Sequence, residues 1–116
     1  MAANNLNVPL ILAKTADTTV SPWVRTQGMS HFKVYVVGNG TISTGAVTIQ
    51  EAWINPHNEA AGYSGTPDDV GSAITAVTDS QVAATLTEGP YAYLRAKIST
   101  GVTGGGTVSV YLVASQ

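Results

Sequence analysis

Side chains able to do acid–base or metal chemistry are few: two histidines, seven carboxylates and no cysteine. His31 sits in the alternating stretch HFKVYVVG and His57 in a loop-like stretch far along the chain, and both read as surface histidines. The run Pro67-Asp68-Asp69 could approach a calcium ion, but it lacks the alternating acidic positions of a calcium loop. Asp-rich turns also form for hydrogen-bonding reasons alone. A glycosidase needs two carboxylates across a cleft, and no pair is placed so by spacing. No serine stands in a nucleophile elbow. The expectation is a protein that is not an enzyme, with no catalytic residue, no metal ligand and no cofactor.

Recognition chemistry is better represented. Trp23, Trp53, Tyr35, Tyr63, Tyr91, Tyr93 and Tyr111 could stack on sugar faces, or could simply form cross-strand pairs that stabilise a sheet. The second reading is favoured. In YAYLRAKIS, Tyr91, Tyr93, Arg95 and Lys97 share one face, and Ala92, Leu94, Ala96 and Ile98 share the other. In GTVSVYLVA, Val108, Val110, Leu112 and Ala114 oppose Thr107, Ser109, Tyr111 and Val113. Between them lies TGVTGGG. A phosphate-gripping loop would need a helix directly after it, and here a strand follows. The glycines are therefore read as a turn, since glycine takes positive φ at little steric cost. The two strands are expected to form a β-hairpin with Tyr93 and Tyr111 on one side. Arg and Tyr together are frequent at interfaces.

The remaining elements follow the same period of two. Phe32, Val34 and Val36 alternate with His31, Lys33 and Tyr35. Val47, Ile49, Glu51 and Trp53 alternate with Ala46, Thr48, Gln50 and Ala52, which places Trp53 in the core. Between these strands, GNGTISTG is a turn-rich connector, and Asn39-Gly40-Thr41 within it reads as a turn rather than a glycosylation site. VPLILAK and TTVSPWVR read as short strands, with Pro9 and Pro22 at strand starts or edges. Residues 54–72, with two prolines and three glycines, read as a long connection. AITAVTDSQVAATLTEG holds one or two strands. With 14 Val and 15 Thr against 6 Leu, 3 Glu and 3 Lys, the vocabulary is that of strands. The fold expected is all-β: an antiparallel β-sandwich, jelly-roll-like, of seven to nine strands. Residues 18–116 form the sandwich domain, and residues 1–17 form an N-terminal arm or its first strand.

At 116 residues the chain has the size of one domain. Its 44% hydrophobic content supports a packed core, while charged residues make up only 10%, against roughly 25% in ordinary soluble domains. Five Lys and Arg without a cluster, and a net charge of -2, argue against nucleic-acid binding, which needs concentrated cationic side chains. VPLILA is too short for a signal core, and no segment nears the roughly 18 apolar residues of a membrane span. Synthesis in the cytoplasm, with no membrane partner, is expected.

TVSPWVRTQGMSHFKVYVVG, TGAVTIQEAW, EGPYAYLRAKIS and GTVSVYLVA together resemble the small β-sandwich virion proteins of tailed bacteriophages, over residues 18–113. The telling part is GPYAYLR followed by GTVSVYL. Members of that kind are often head decoration or cement proteins. The resemblance implies a non-enzymatic part of the virion at the capsid surface, with the major capsid protein or another virion protein as partner. It also implies a homo-oligomer, a trimer fitting three-fold positions. It carries over no catalytic motif. Candidate partner contacts are Asn4, Asn5, Leu6, Val8, Tyr93, Arg95 and Tyr111. The first four belong to MAANNLNVPLILAK, read either as an arm adding to a neighbour's sheet edge or as the first strand of its own sandwich. On the arm reading, removing residues 1–8 weakens attachment and leaves the fold intact. The alternatives are a carbohydrate-binding or adhesion module, and a small tail or connector component.

Overall fold

The computed structural model describes residues 5–26, 29–52, 67–86 and 93–115. Eight strands follow in order: β1 (Asn5–Lys14), β2 (Val24–Arg25), β3 (His31–Asn39), β4 (Thr44–Ala52), β5 (Asp68–Thr75), β6 (Gln81–Leu86), β7 (Tyr93–Thr103) and β8 (Thr107–Ser115). Among the described residues there is no helix. The strands make two antiparallel sheets, ordered β1-β8-β3-β6 and β2-β7-β4-β5. Pairing is nested: β1 with β8, β2 with β7, β3 with β6 and β4 with β5. The pairs β3–β8 and β4–β7 complete the two sheets. This is the jelly-roll sandwich that the alternation predicts.

Alternation places the core between the sheets. Val34 and Val36 of β3, Val47 of β4, Leu94, Ala96 and Ile98 of β7, and Val108, Val110 and Leu112 of β8 are all fully buried. Each such Val, Leu or Ile contributes roughly 1.5–3 kcal/mol through removal of its side chain from water. The faces expected for β3, β7 and β8 are the faces observed. β6 follows too, with Val82 and Ala84 half-buried and Leu86 buried. Trp53 lies outside the described residues, as do Asn4, His57, Tyr63 and Tyr91.

The predicted β7–β8 hairpin does not form: β7, which holds the YLR of GPYAYLR, does not pair with β8, the GTVSVYL strand. β7 and β8 belong to opposite sheets. Three glycines join them, Gly104 at φ 104° and Gly105 at φ 99°. Facing sheets stand about 10 Å apart, and a few extended residues at roughly 3.3–3.6 Å each cover that gap. The glycines do make the turn, but it carries the chain across the sandwich instead of back along one sheet. A Cβ on Gly106 would strike the Asn39 carbonyl, so the connector lies tightly on the end of β3. Gly106 N–H donates to the Thr41 carbonyl at 2.7 Å, and Gly40 N–H to Asp79 Oδ1 at 2.6 Å. The Asn39–Thr41 turn is thereby tied to two other connectors.

Two further boundaries differ from expectation. The long connection ends sooner, because β5 already begins at Asp68. β5 was hard to read because it is an exposed edge strand. Gly71 at φ 71° and a register shift opposite Val47–Ile49 break its alternation. TTVSPWVR contributes only the two-residue β2 and an isolated bridge from Val20 to Lys97, because Pro22 has no N–H to offer a ladder.

Candidate partner-binding surfaces

β1 is an edge strand of the chain's own sheet. Asn5, Leu6, Asn7, Val8 and Pro9 stand opposite Ser115, Ala114, Val113, Leu112 and Tyr111 of β8. Leu6 and Val8 are half-buried against the core. Their apolar surface is therefore used within the molecule. Among the described residues, the two outward sheet faces carry most of the exposed polar and aromatic side chains.

On β2-β7-β4-β5, the outward residues of β7 are Tyr93, Arg95, Lys97 and Ser99. Arg95 stands opposite Gln50 of β4, and Gln50 opposite Asp69 of β5. The Arg95 guanidinium carbon lies 4.5 Å from the centroid of the Trp23 ring, within the range of a cation–π contact. Arg95 Nε donates to Gln50 Oε1 at 2.9 Å, and Gln50 Nε2 donates to Asp69 Oδ1 at 3.1 Å. One side chain from each strand, or from its lead-in, thus joins a line across the whole sheet. Gln50 is buried, and its amide is oriented by a donor on one side and an acceptor on the other. Arginine and aspartate are linked through that amide, so the face is ordered and its charges are partly matched.

The lead-in to β2 holds Trp23 in place. Ser21 N–H donates to the Ala96 carbonyl at 2.9 Å, and Ala96 N–H donates back to Ser21 Oγ at 2.9 Å. The hydroxyl stands in for a backbone acceptor just ahead of Pro22. Beside the line lies a depression of about 330 Å³ bounded by Thr48, Asp68, Asp69, Lys97 and Ser99. Ser99 Oγ is buried there with no hydrogen-bond partner among the described residues.

Tyr111 is not beside Tyr93. It lies on the outward face of β1-β8-β3-β6, because β8 is in that sheet. There it stands opposite Tyr35 of β3, and both rings are half-buried. Lys33 Nζ lies 5.4 Å from the centroid of the Tyr35 ring. Among the described residues no group of three His, Asp or Glu could hold a metal ion. Asp69, in the Pro67-Asp68-Asp69 run, is instead the acceptor for Gln50.

No protein-family model matches the chain, and no curated protein matches it. Solved structures do. The chain is similar to the SPBc2 prophage-derived protein YomS at 10% identity and a TM-score of 0.63, covering 100% of this chain and 96% of that one. It is also similar to a chain in the structure of infectious bursal disease virus Gx strain, at 10% identity and a TM-score of 0.52. That match covers 97% of this chain and 32% of the viral chain. At such identities the likeness is one of fold.

Tyr93 and Arg95 stand as neighbours on one face of β7, as the alternation of that strand predicts. Nothing in the sequence marks Trp23, Gln50 and Asp69 as the line that contains Arg95, or Tyr35 as the partner of Tyr111. Only strand pairing brings these together. The one available signal was the polar character of positions 48, 50, 95 and 97 on strands that are otherwise apolar.

Proposed function

We propose that this is a non-enzymatic virion structural protein of a tailed bacteriophage. In this reading it is a head decoration or cement protein, at the capsid surface, gripping the major capsid protein through the outward face of β2-β7-β4-β5. The observation that carries the proposal is the Trp23–Arg95–Gln50–Asp69 line. A guanidinium already stacked and hydrogen-bonded loses little freedom on binding, and Trp, Tyr and Arg are the residues that dominate interface energetics. The fold shared with a prophage-derived protein and with part of a viral chain supports the same reading. So does the low charge of the sequence.

The test is co-sedimentation of the purified protein with phage capsids that lack it, together with its mass in solution. Saturable binding by an oligomer, a trimer in the simplest case, is expected. Trp23→Ala and Arg95→Ala should each weaken binding by about 2 kcal/mol or more. Failure to bind any head preparation, with the protein found on tails by electron microscopy, would assign it to the tail or connector instead.

A further inference from the structure

The opposite face carries a second, chemically different surface. Register on β1-β8-β3-β6 sets its outward side chains in rows. Pro9, Tyr111, Tyr35 and Ala83 form one row, and Asn7, Val113, Lys33 and Thr85 the next. The two tyrosines are directly opposed, so their Cβ atoms stand about 5 Å apart. A shallow depression of about 390 Å³ lies over them. Asn7 from one edge strand and Gln81 from the other bound it, with Val37 and Val113. Val113 also borders a second depression of about 450 Å³, shared with Lys33, Thr85 and His31. The two share Val113, the second reaching also the inward Phe32 and Leu86 at the end of the sheet, and between them they border β3 as a track from Val37 to His31. At about 3.3 Å per residue it is roughly 20 Å long.

The composition of this track selects a ligand class. Aromatic rings lie at its centre, Tyr35 with Lys33 Nζ 5.4 Å from its centroid and Tyr111 opposite, and side-chain amides at both edges donate and accept hydrogen bonds. Lys33 is the one permanently charged side chain on the face among the described residues, and none of its outward residues is Asp or Glu. A protein core or a lipid would leave the amides unsatisfied. A sugar ring presents an apolar face to the tyrosines and hydroxyls to the amides. We propose that this track is a polysaccharide-binding site, with a pyranose ring seated over Tyr111 and beside the Lys33–Tyr35 pair. Lys33 lies where a carboxylate on a neighbouring sugar would meet it. The site is on the sheet facing away from the proposed capsid contact, and the two assignments stand or fall separately.

Amide-resolved NMR titration of the full chain tests it, with cellohexaose as the neutral probe and hexagalacturonate as the acidic one. Saturable shifts centred on Asn7, Tyr35, Gln81 and Tyr111 are expected with at least one probe at millimolar concentration. Tyr35→Val and Tyr111→Val keep a strand-forming side chain and remove the ring. Each should weaken binding about tenfold or more while the rest of the spectrum stays folded, and Tyr→Phe at either site should retain it. Lys33→Met should abolish any preference for hexagalacturonate. Silence with both probes overturns the proposal, as do shifts centred on the Trp23 face. Movement of the same resonances on simple dilution without sugar would also overturn it, because that outcome makes the face a contact between copies of this chain.

Discussion

Arg95 and Gln50 face each other across the β7–β4 ladder and are joined by a 2.9 Å hydrogen bond from Nε to Oε1. Because Gln50 is buried and also donates to Asp69, the pair holds two strands' outward side chains in one geometry.

Gln50→Leu removes both hydrogen bonds to charged groups from a buried position, leaving half-buried Arg95 and exposed Asp69 to rearrange. A loss of about 1–3 kcal/mol is expected, read by urea denaturation. A double-mutant cycle with Arg95→Ala should show a coupling of about 0.5 kcal/mol or more. Additive effects would mean that the contact does not organise the face.

The glycine connector offers a matched pair. A Cβ at Gly104 would lie 2.8 Å from Ser43 N and 2.9 Å from the Thr41 carbonyl oxygen, whereas one at Gly105 meets nothing within 4 Å. Both have positive φ. Gly105→Ala should cost roughly 1–2 kcal/mol from backbone strain alone. Gly104→Ala should cost clearly more, and equal melting temperatures would refute the crossing geometry.

Removing residues 1–8 takes away the pairing of Leu6 and Val8 with β8 and their contacts with the core. The fold is then destabilised by roughly 1–3 kcal/mol, each half-buried side chain contributing about half of what full burial would. Chemical denaturation of the truncated chain checks this. An unchanged midpoint would restore the arm that the sequence suggested.

Ser99 makes the opposite case. Its hydroxyl is buried and has no partner among the described residues, so Ser99→Ala removes an unmet desolvation cost and should leave stability equal or slightly higher. A marked loss would reveal a partner for that hydroxyl.

The inward faces of β3, β7 and β8 were legible because each strand has neighbours on both sides and one face on the core, so apolar residues recur there with a period of two. Which strand pairs with which was not. Alternation states where a side chain points and is silent about its neighbour, so β7 and β8, adjacent in sequence, were joined into a hairpin. β5 was obscured because its alternation is broken at Gly71 and its residues are largely exposed. Tyr93 with Arg95 could be read from one strand. Trp23 with Arg95, and Tyr35 with Tyr111, needed the fold.

Nested pairing sets Asn5 against Ser115. The polypeptide therefore enters and leaves the sandwich at one corner. Two fusions, one at either end, would emerge side by side, and a short linker would close the chain into a ring without disturbing any strand.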